Sequence, residues 1–255
     1  MSEPQPIGSI LDRMPAEQRT CEQHGDYLAR SFGKVWSKCP GCREAERERE
    51  QHAFRNTIEE DRIREWTAEA GIPRRFRECS VENYAALQEA QQRAKDFALA
   101  FAADLSERTT QGRSAVFCGR PGTGKTHLAC ALAHAAIRVR QRAMFTTTVR
   151  LVRRIKETWS KGSEESESQA IRAFTAPDLL VLDEVGVQFG SETEKLLLFD
   201  VLNERYEAQR STIIISNLDL DGVKAFLGER VFDRMREDGG QYIAFTWESY
   251  RGQEA

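Results

Sequence analysis

Two kinds of pattern alternate along the second half of the chain. Short apolar runs at 115–118, Ala143–Thr147, 179–182, 212–215 and 242–247 are separated by longer stretches whose apolar residues fall at helical spacing. Uninterrupted apolar strands of this kind are typical of a parallel sheet buried on both faces. The pattern therefore predicts an α/β fold, a five-stranded parallel sheet flanked by helices. Helices are predicted over 128–137, 150–159 and 192–209, and the Ser- and Glu-rich stretch 161–168 reads as a polar loop.

Upstream the pattern changes. Residues 43–70 are dense in Glu and Arg, with Phe54, Ile58, Ile63, Trp66 and Ala70 at roughly helical spacing. This predicts one long helix with a narrow apolar stripe, closed by Gly71-Ile72-Pro73. Leu87, Ala94, Phe97, Ala98, Phe101 and Leu105 mark one face of a second helix, and Gly112 precedes the first strand of the sheet. Three parts are expected: a small module at 1–45, a helical linker at 46–71 and the α/β domain at 72–255.

The chain has 255 residues, enough for one sizeable core and a small appendage. Charged residues make up 30% of it, yet the formal net charge is only −3, so bulk charge gives no nucleic-acid signal. Any such contact must come from a local basic patch. The positive charges are mostly arginine, which suits bidentate contacts to phosphate and carboxylate. No apolar run approaches the ~18 residues that span a bilayer, and no signal-peptide core follows the polar N-terminus. Six cysteines over this length do not look like a secreted disulfide scaffold. A cytoplasmic protein with no membrane partner is expected.

The densest chemistry lies between the first apolar run and the helix after it. Gly119-Arg120-Pro121-Gly122-Thr123-Gly124-Lys125-Thr126, followed by His127, has the phosphate-loop spacing, in the strand–loop–helix context that the function requires. Glycines let successive N–H groups curl around phosphate oxygens, and the helix N-terminus adds partial positive charge. Lys125 would reach the β- and γ-phosphates of ATP and Thr126 would ligate Mg²⁺. A second constellation is Leu179-Leu180-Val181-Leu182-Asp183-Glu184, a buried strand delivering two acids to the carboxyl edge of the sheet, where ligands bind in open α/β folds. Asp183 would hold Mg²⁺, Glu184 would deprotonate the attacking water, and Asn217 at the end of the next strand would help to position that water.

Cys21-x-x-His24 and Cys39-Pro-Gly-Cys42 form a separate cluster. Each pair has the gap that lets two side chains converge on one tetrahedral ion, with Pro40-Gly41 expected as a tight turn. Four protein ligands leave no open position, so the zinc expected here is structural. A redox Cys-x-x-Cys would be expected beside a βαβ pattern, and none lies near. Cys79, Cys118 and Cys130 read as small apolar residues. The densest basic stretch comprises Arg138, Arg140, Arg142, Arg150, Arg153, Arg154 and Lys156. Of these, Arg150, Arg153, Arg154 and Lys156 are the DNA-contact candidates, although arginines near a helix C-terminus also complement the helix dipole.

Val201-Leu202-Asn203-Glu204-Arg205-Tyr206 with Ser211-Thr212-Ile213-Ile214-Ile215-Ser216-Asn217 resembles the AAA+ ATPases that load bacterial replicative helicases, the DnaC type, and their IstB-type relatives that assist transposases. So do Leu227-Gly228-Glu229-Arg230-Val231-Phe232-Asp233-Arg234-Met235-Arg236 and Trp247-Glu248-Ser249-Tyr250-Arg251. The resemblance implies that Arg234 is an arginine finger reaching a neighbouring subunit's site, with Arg230 and Arg236 as adjacent alternatives, and that Arg251 is a second sensor arginine. It also implies hydrolysis that requires self-association, single-stranded DNA along the inner face of an ATPase spiral, and an N-terminal module that grips a hexameric helicase. Because the sequence ends shortly after Arg251, a truncated helical lid is expected.

The leading expectation is thus an ATP-dependent helicase loader. A transposition helper ATPase is the alternative. A P-loop small-molecule kinase is disfavoured by Glu184 after Asp183, a hydrolytic arrangement. A zinc-anchored adaptor that binds ATP without turnover would require Glu184 to be idle.

Overall fold

The computed structural model describes residues 14–105, 111–186 and 192–250, and within these the strands form two separate sheets, one of three strands and one of five. The chain divides into two units, Met1–Arg62 and Ile63–Ala255.

In the first unit β1 (Ala16–Cys21), β2 (Gly25–Phe32) and β3 (Val35–Trp36) form an antiparallel meander. Cys21 pairs with Gly25, so residues 22–24 make a tight turn that Gly25 closes at φ +75°. Helix α1 (Pro40–Glu69) follows. It starts earlier than the charge pattern predicts, and Pro40-Gly41 is its first turn rather than a separate one. Proline's fixed φ suits that position, where its missing N–H has no helical partner to lose. Among the described residues up to 62, only Ala29 and Cys39 are buried, too little to constitute an apolar core.

The second unit holds β4 (Ala115–Gly119), β5 (Ala143–Thr147), β6 (Leu179–Asp183), β7 (Ser211–Ile215) and β8 (Gln241–Phe245). All pair in parallel, in the order β5-β6-β7-β4-β8. Against one face lie α2 (Glu89–Ala103) and α3 (Lys125–Arg138), with Phe101, Leu128 and Leu132 meeting Phe117 and Ile215 in one apolar layer. Against the other lie α4 (Thr148–Glu157), α5 (Glu167–Thr175), α6 (Glu192–Glu207) and α7 (Leu220–Arg234), whose Leu151, Phe174, Val201 and Leu227 join Leu180 and Ile214.

The elements depart from the sequence pattern in instructive places. Helix α5 begins inside the polar stretch expected as a loop, because Ser166 and Gln169 form a reciprocal cap at its start. Strand β8 stops at Phe245, two residues before the predicted end. Helix α7 is broken at Gly228, whose φ of +76° re-aims the segment carrying Arg230 and Arg234.

One buried cation knits the second layer. Arg205 on α6 is fully buried and donates to the carbonyls of Phe174, Thr175 and Pro177, to Thr212 Oγ1 and to the Ser211 carbonyl. Burial pulls its guanidinium down to about 9, and the five oxygens stand in for part of the water it has lost.

Candidate functional site

Strand β4 runs straight into the loop 119–124, and α3 starts at Lys125. The loop is folded by its neighbours as much as by its glycines. A Cβ on Gly119, at φ +118°, would stand 2.4 Å from the Phe245 carbonyl oxygen, so only glycine lets β8 come this close. Gly124, at φ +92°, lies where a Cβ would meet the Tyr84 ring at 2.6 Å.

The Lys125 ammonium is almost fully buried and donates to the carbonyls of Gly119 at 2.7 Å and Arg120 at 2.6 Å. Thr126 Oγ1 donates to Asp183 Oδ2 at 3.0 Å. The two residues expected to share a magnesium ion, far apart in sequence, thus meet at one point. Burial pushes the Asp183 carboxyl up, opposed by hydrogen bonds from the Glu184 N–H and Thr126 and by the charge of Lys125. Glu184 is exposed and takes φ +63°, an uncommon conformation for a residue with a side chain. Pro121, Gly122, Thr123, Gly124, Lys125, Thr126, His127, Asp183, Glu184 and Asn217 all line one cleft of about 490 Å³. Gly119 and Arg120 form the back of the loop and are not among its lining residues.

Sequence reasoning assigned no role at this cleft to six further lining residues, Arg75, Phe76, Asn83, Tyr84, Trp247 and Tyr250. Tyr84 Oη and Trp247 Nε1 both donate to the Thr123 carbonyl, at 3.2 and 3.0 Å, and the Tyr250 N–H donates to the Gly122 carbonyl at 2.9 Å. Burial pushes Tyr84 up to about 12, so it remains a hydroxyl donor across the neutral range. His127 Nε2 lies 2.9 Å from Asn83 Oδ1 and 3.1 Å from the Ser80 carbonyl, and burial pulls its ring below the usual histidine range. A side chain reaching a distant carbonyl leaves no spacing in the sequence to read.

Arg234 is not among the lining residues of its own chain's cleft. It is half-buried beside α6, with its guanidinium 4.5 Å from the centroid of the Tyr206 ring. Arg230 and Arg236 are exposed, and Arg251 lies outside the described residues. On α4, Arg150 and Arg153 are exposed, whereas Arg154 forms a bidentate pair with Glu165 (3.2 and 2.7 Å) and Lys156 pairs with Glu194 at 2.9 Å. The basic stretch is therefore partly neutralised by its own neighbours.

In the first unit the hairpin turn and the start of α1 bring Cys21, His24, Cys39 and Cys42 together, with ligand atoms all within 4.8 Å of one another. Cys21 Sγ and Cys42 Sγ are 3.4 Å apart, and each is 3.6 or 3.4 Å from His24 Nδ1. A disulfide needs about 2.05 Å, whereas sulfur and nitrogen at about 2.3 and 2.0 Å from one tetrahedral zinc stand roughly 3.5 Å apart. The donor set fits zinc. The Gln23 N–H, then His24 and Cys42, pull the Cys21 thiol down to about 6, while Cys21 pushes Cys42 up to about 11. The His24 ring packs against Gly41, where a Cβ would stand 2.6 Å from it and push the ring out of this position.

The family profile described as IstB-like ATP binding protein matches residues 59–254. The replicative helicase loader DnaC of Escherichia coli (strain K12) is 31% identical over 250 residues, covering 96% of each chain. The chain belongs to this DnaC/IstB-like ATP-binding family. A second member, the replicative helicase loader DnaC of Buchnera aphidicola subsp. Schizaphis graminum, is 36% identical over 182 residues, 71% of this chain and 73% of its own. Among solved structures, that of the DnaC helicase loader superposes with a TM-score of 0.60 at 25% identity, covering 68% of this chain and 99% of the other. The five-stranded parallel sheet flanked by helices is thus that of an AAA+ ATP-binding domain in a family member. Among the described residues no helix is long and apolar enough to cross a membrane.

Proposed function

We propose that the protein is a cytoplasmic ATPase that loads a hexameric replicative helicase onto single-stranded DNA, hydrolysing ATP at contacts between copies of itself. The observation that carries the ATPase part is the Thr126–Asp183 hydrogen bond, which joins the phosphate loop to the acidic end of β6 inside one cleft. Magnesium, held by Thr126 and Asp183, would neutralise charge on the β- and γ-phosphate oxygens. Lys125 exchanges its two carbonyl partners for phosphate oxygens. Glu184, exposed to the cleft, takes the proton of the attacking water, and Asn217 orients that water. Hydrolysis is then limited by the charge developing on the transferred phosphoryl group, which needs a further cation. Arg234, outside its own cleft, is suited to supply that cation to a neighbouring copy.

The loader part is supported by likeness to proteins named replicative helicase loaders along nearly the whole chain, the first unit included. Zinc at Cys21, His24, Cys39 and Cys42 would fold that unit, which has almost no apolar core, as a module for capturing the helicase. Arg150 and Arg153 are the better placed residues for sequence-tolerant contact with single-stranded DNA, since Arg154 and Lys156 already have acidic partners. Affinity capture with the full chain tests the reading. Recovery of a replicative helicase supports it, and recovery of a transposase without helicase would replace it with the transposition role.

A further inference from the structure

Two consecutive carbonyls of the phosphate loop are held by groups from outside the loop. Gly122 O accepts from the Tyr250 N–H, and Thr123 O accepts from both Tyr84 Oη and Trp247 Nε1. Thr123, Tyr84 and Trp247 are all buried, so these are not contacts that water can readily replace. Across a planar trans peptide the N–H points opposite to the carbonyl. Drawing the Gly122 and Thr123 carbonyls toward Tyr84, Trp247 and Tyr250, which back the loop, therefore aims the N–H groups of Thr123 and Gly124 the other way. Successive N–H groups aimed together make an anion-binding concavity. Were either peptide to turn over, a donor would be replaced by a carbonyl oxygen facing the phosphate.

We infer that Tyr84 and Trp247 are positioning residues for phosphate binding, a side-chain clamp that fixes the Thr123–Gly124 peptide in its donor-inward orientation. The clamp rests on the nucleotide-binding role proposed above. It draws on three separate segments, the stretch before α2, the loop itself and the chain leaving β8. Strand β8 ends at Phe245, and the chain that leaves it carries Trp247 to the loop. Tyr84 also packs against Gly124, where a Cβ would collide with its ring, so the same side chain sets both the peptide plane and the close approach.

The test compares Tyr84→Phe, Trp247→Phe and the double variant with the wild type and with Lys125→Ala, using ATP and ADP titrations. Each single variant keeps a ring in place and one donor on the Thr123 carbonyl, and should weaken both nucleotides by up to about tenfold. The double variant leaves that carbonyl with neither side-chain donor and should lose more than the product of the two single effects. The amide proton of Gly124 should shift on ADP addition in the wild type and shift less in the variants, a readout separate from the fall in thermal midpoint expected when a buried carbonyl loses its donors. Binding by the double variant within about twofold of wild type, while Lys125→Ala loses binding, overturns the clamp and leaves the nucleotide site standing. A lowered thermal midpoint with an unaltered Gly124 shift would mean a merely structural role and also overturns it. If wild type and Lys125→Ala bind ATP equally, the nucleotide site falls and the clamp with it. Trp247→Phe alone carries the comparison if the double variant does not fold.

Discussion

Arg234 Nη1 donates to Asn203 Oδ1 at 2.5 Å, tying the end of α7 to α6. The same guanidinium lies over the Tyr206 ring, and the Tyr206 hydroxyl donates to Glu237. A long, flexible cation is thereby held in one place on the surface of the second unit before any partner arrives. Arginine suits this double role, since its planar fork can hydrogen-bond and stack at once.

If this residue acts on a neighbour, Arg234→Ala should bind ATP normally and hydrolyse it poorly at every protein concentration. A finger supplied by another subunit contributes about 10³–10⁵ in rate in GTPases, so a loss on the order of 10³-fold is expected. Mixing Arg234→Ala with Glu184→Gln should restore part of the activity, at interfaces where one subunit supplies Glu184 and the other Arg234. Steady-state phosphate release on the mixture decides the matter. Two folded variants that stay inactive together would exclude Arg234 as the trans-acting group.

Lys125→Ala and Glu184→Gln should separate binding from turnover. The first removes the cation that reaches the phosphates and should abolish ATP binding. The second keeps the cleft intact and should retain ATP while losing turnover by about 10²-fold or more, the usual contribution of a general base. Equal loss of binding in both variants would contradict the role given to Glu184.

Cys39→Ser should release zinc and unfold the first unit while sparing the second. Binding a structural zinc is worth on the order of 10 kcal/mol to a module of this size, and Ala29 and Cys39 are its only buried residues among those described. Metal analysis, limited proteolysis and ATP titration on the same sample check all three parts. Helicase capture at wild-type affinity by the zinc-free protein would move partner recognition away from this module.

Alkaline pH should destabilise the second unit through two tyrosines. Tyr84 and Tyr242 are each pushed up to about 12, mainly by burial, from an ordinary value of about 10. Between those values the folded chain keeps protons that the unfolded chain has released. Their contribution is therefore intact below about pH 10 and is lost as pH rises through 12. Tyr84→Phe should flatten part of the fall in thermal midpoint across this window, and an unchanged slope would mean that other groups set it.

How far the sequence could be read depends on which force shapes each element. Strands β4, β6 and β7 are buried on both faces, so their apolar runs were plain. The strands of the first unit are mostly polar and exposed, and follow from a hairpin and a ligand cluster rather than from periodicity. Cys21, His24, Cys39 and Cys42 were legible by spacing, but the place of Pro40-Gly41 inside the helix was not. Lys125, Thr126, Asp183 and Glu184 sit in motifs whose chemistry dictates their order. Tyr84 and Trp247 act on a backbone carbonyl far away in sequence, and Arg205 on five oxygens from separate segments. Such partners exist only once the chain has folded.

Arg205 sets a condition on the order of assembly. Its guanidinium loses water only where five acceptors are already in place, and these come from the end of α5, the approach to β6 and the start of β7. A partly formed version of this layer would hold a dehydrated charge with too few acceptors, a state more costly than either the open chain or the finished one. The layer is therefore expected to close in a single late step, with little population of halfway forms. Arg205→Leu should abolish that step's cooperativity as well as its stability, leaving several carbonyls buried without donors at about 1–3 kcal/mol each. Native-state hydrogen exchange at the amides of α5, β6 and β7 should give one common opening free energy in the wild type and separate ones in the variant.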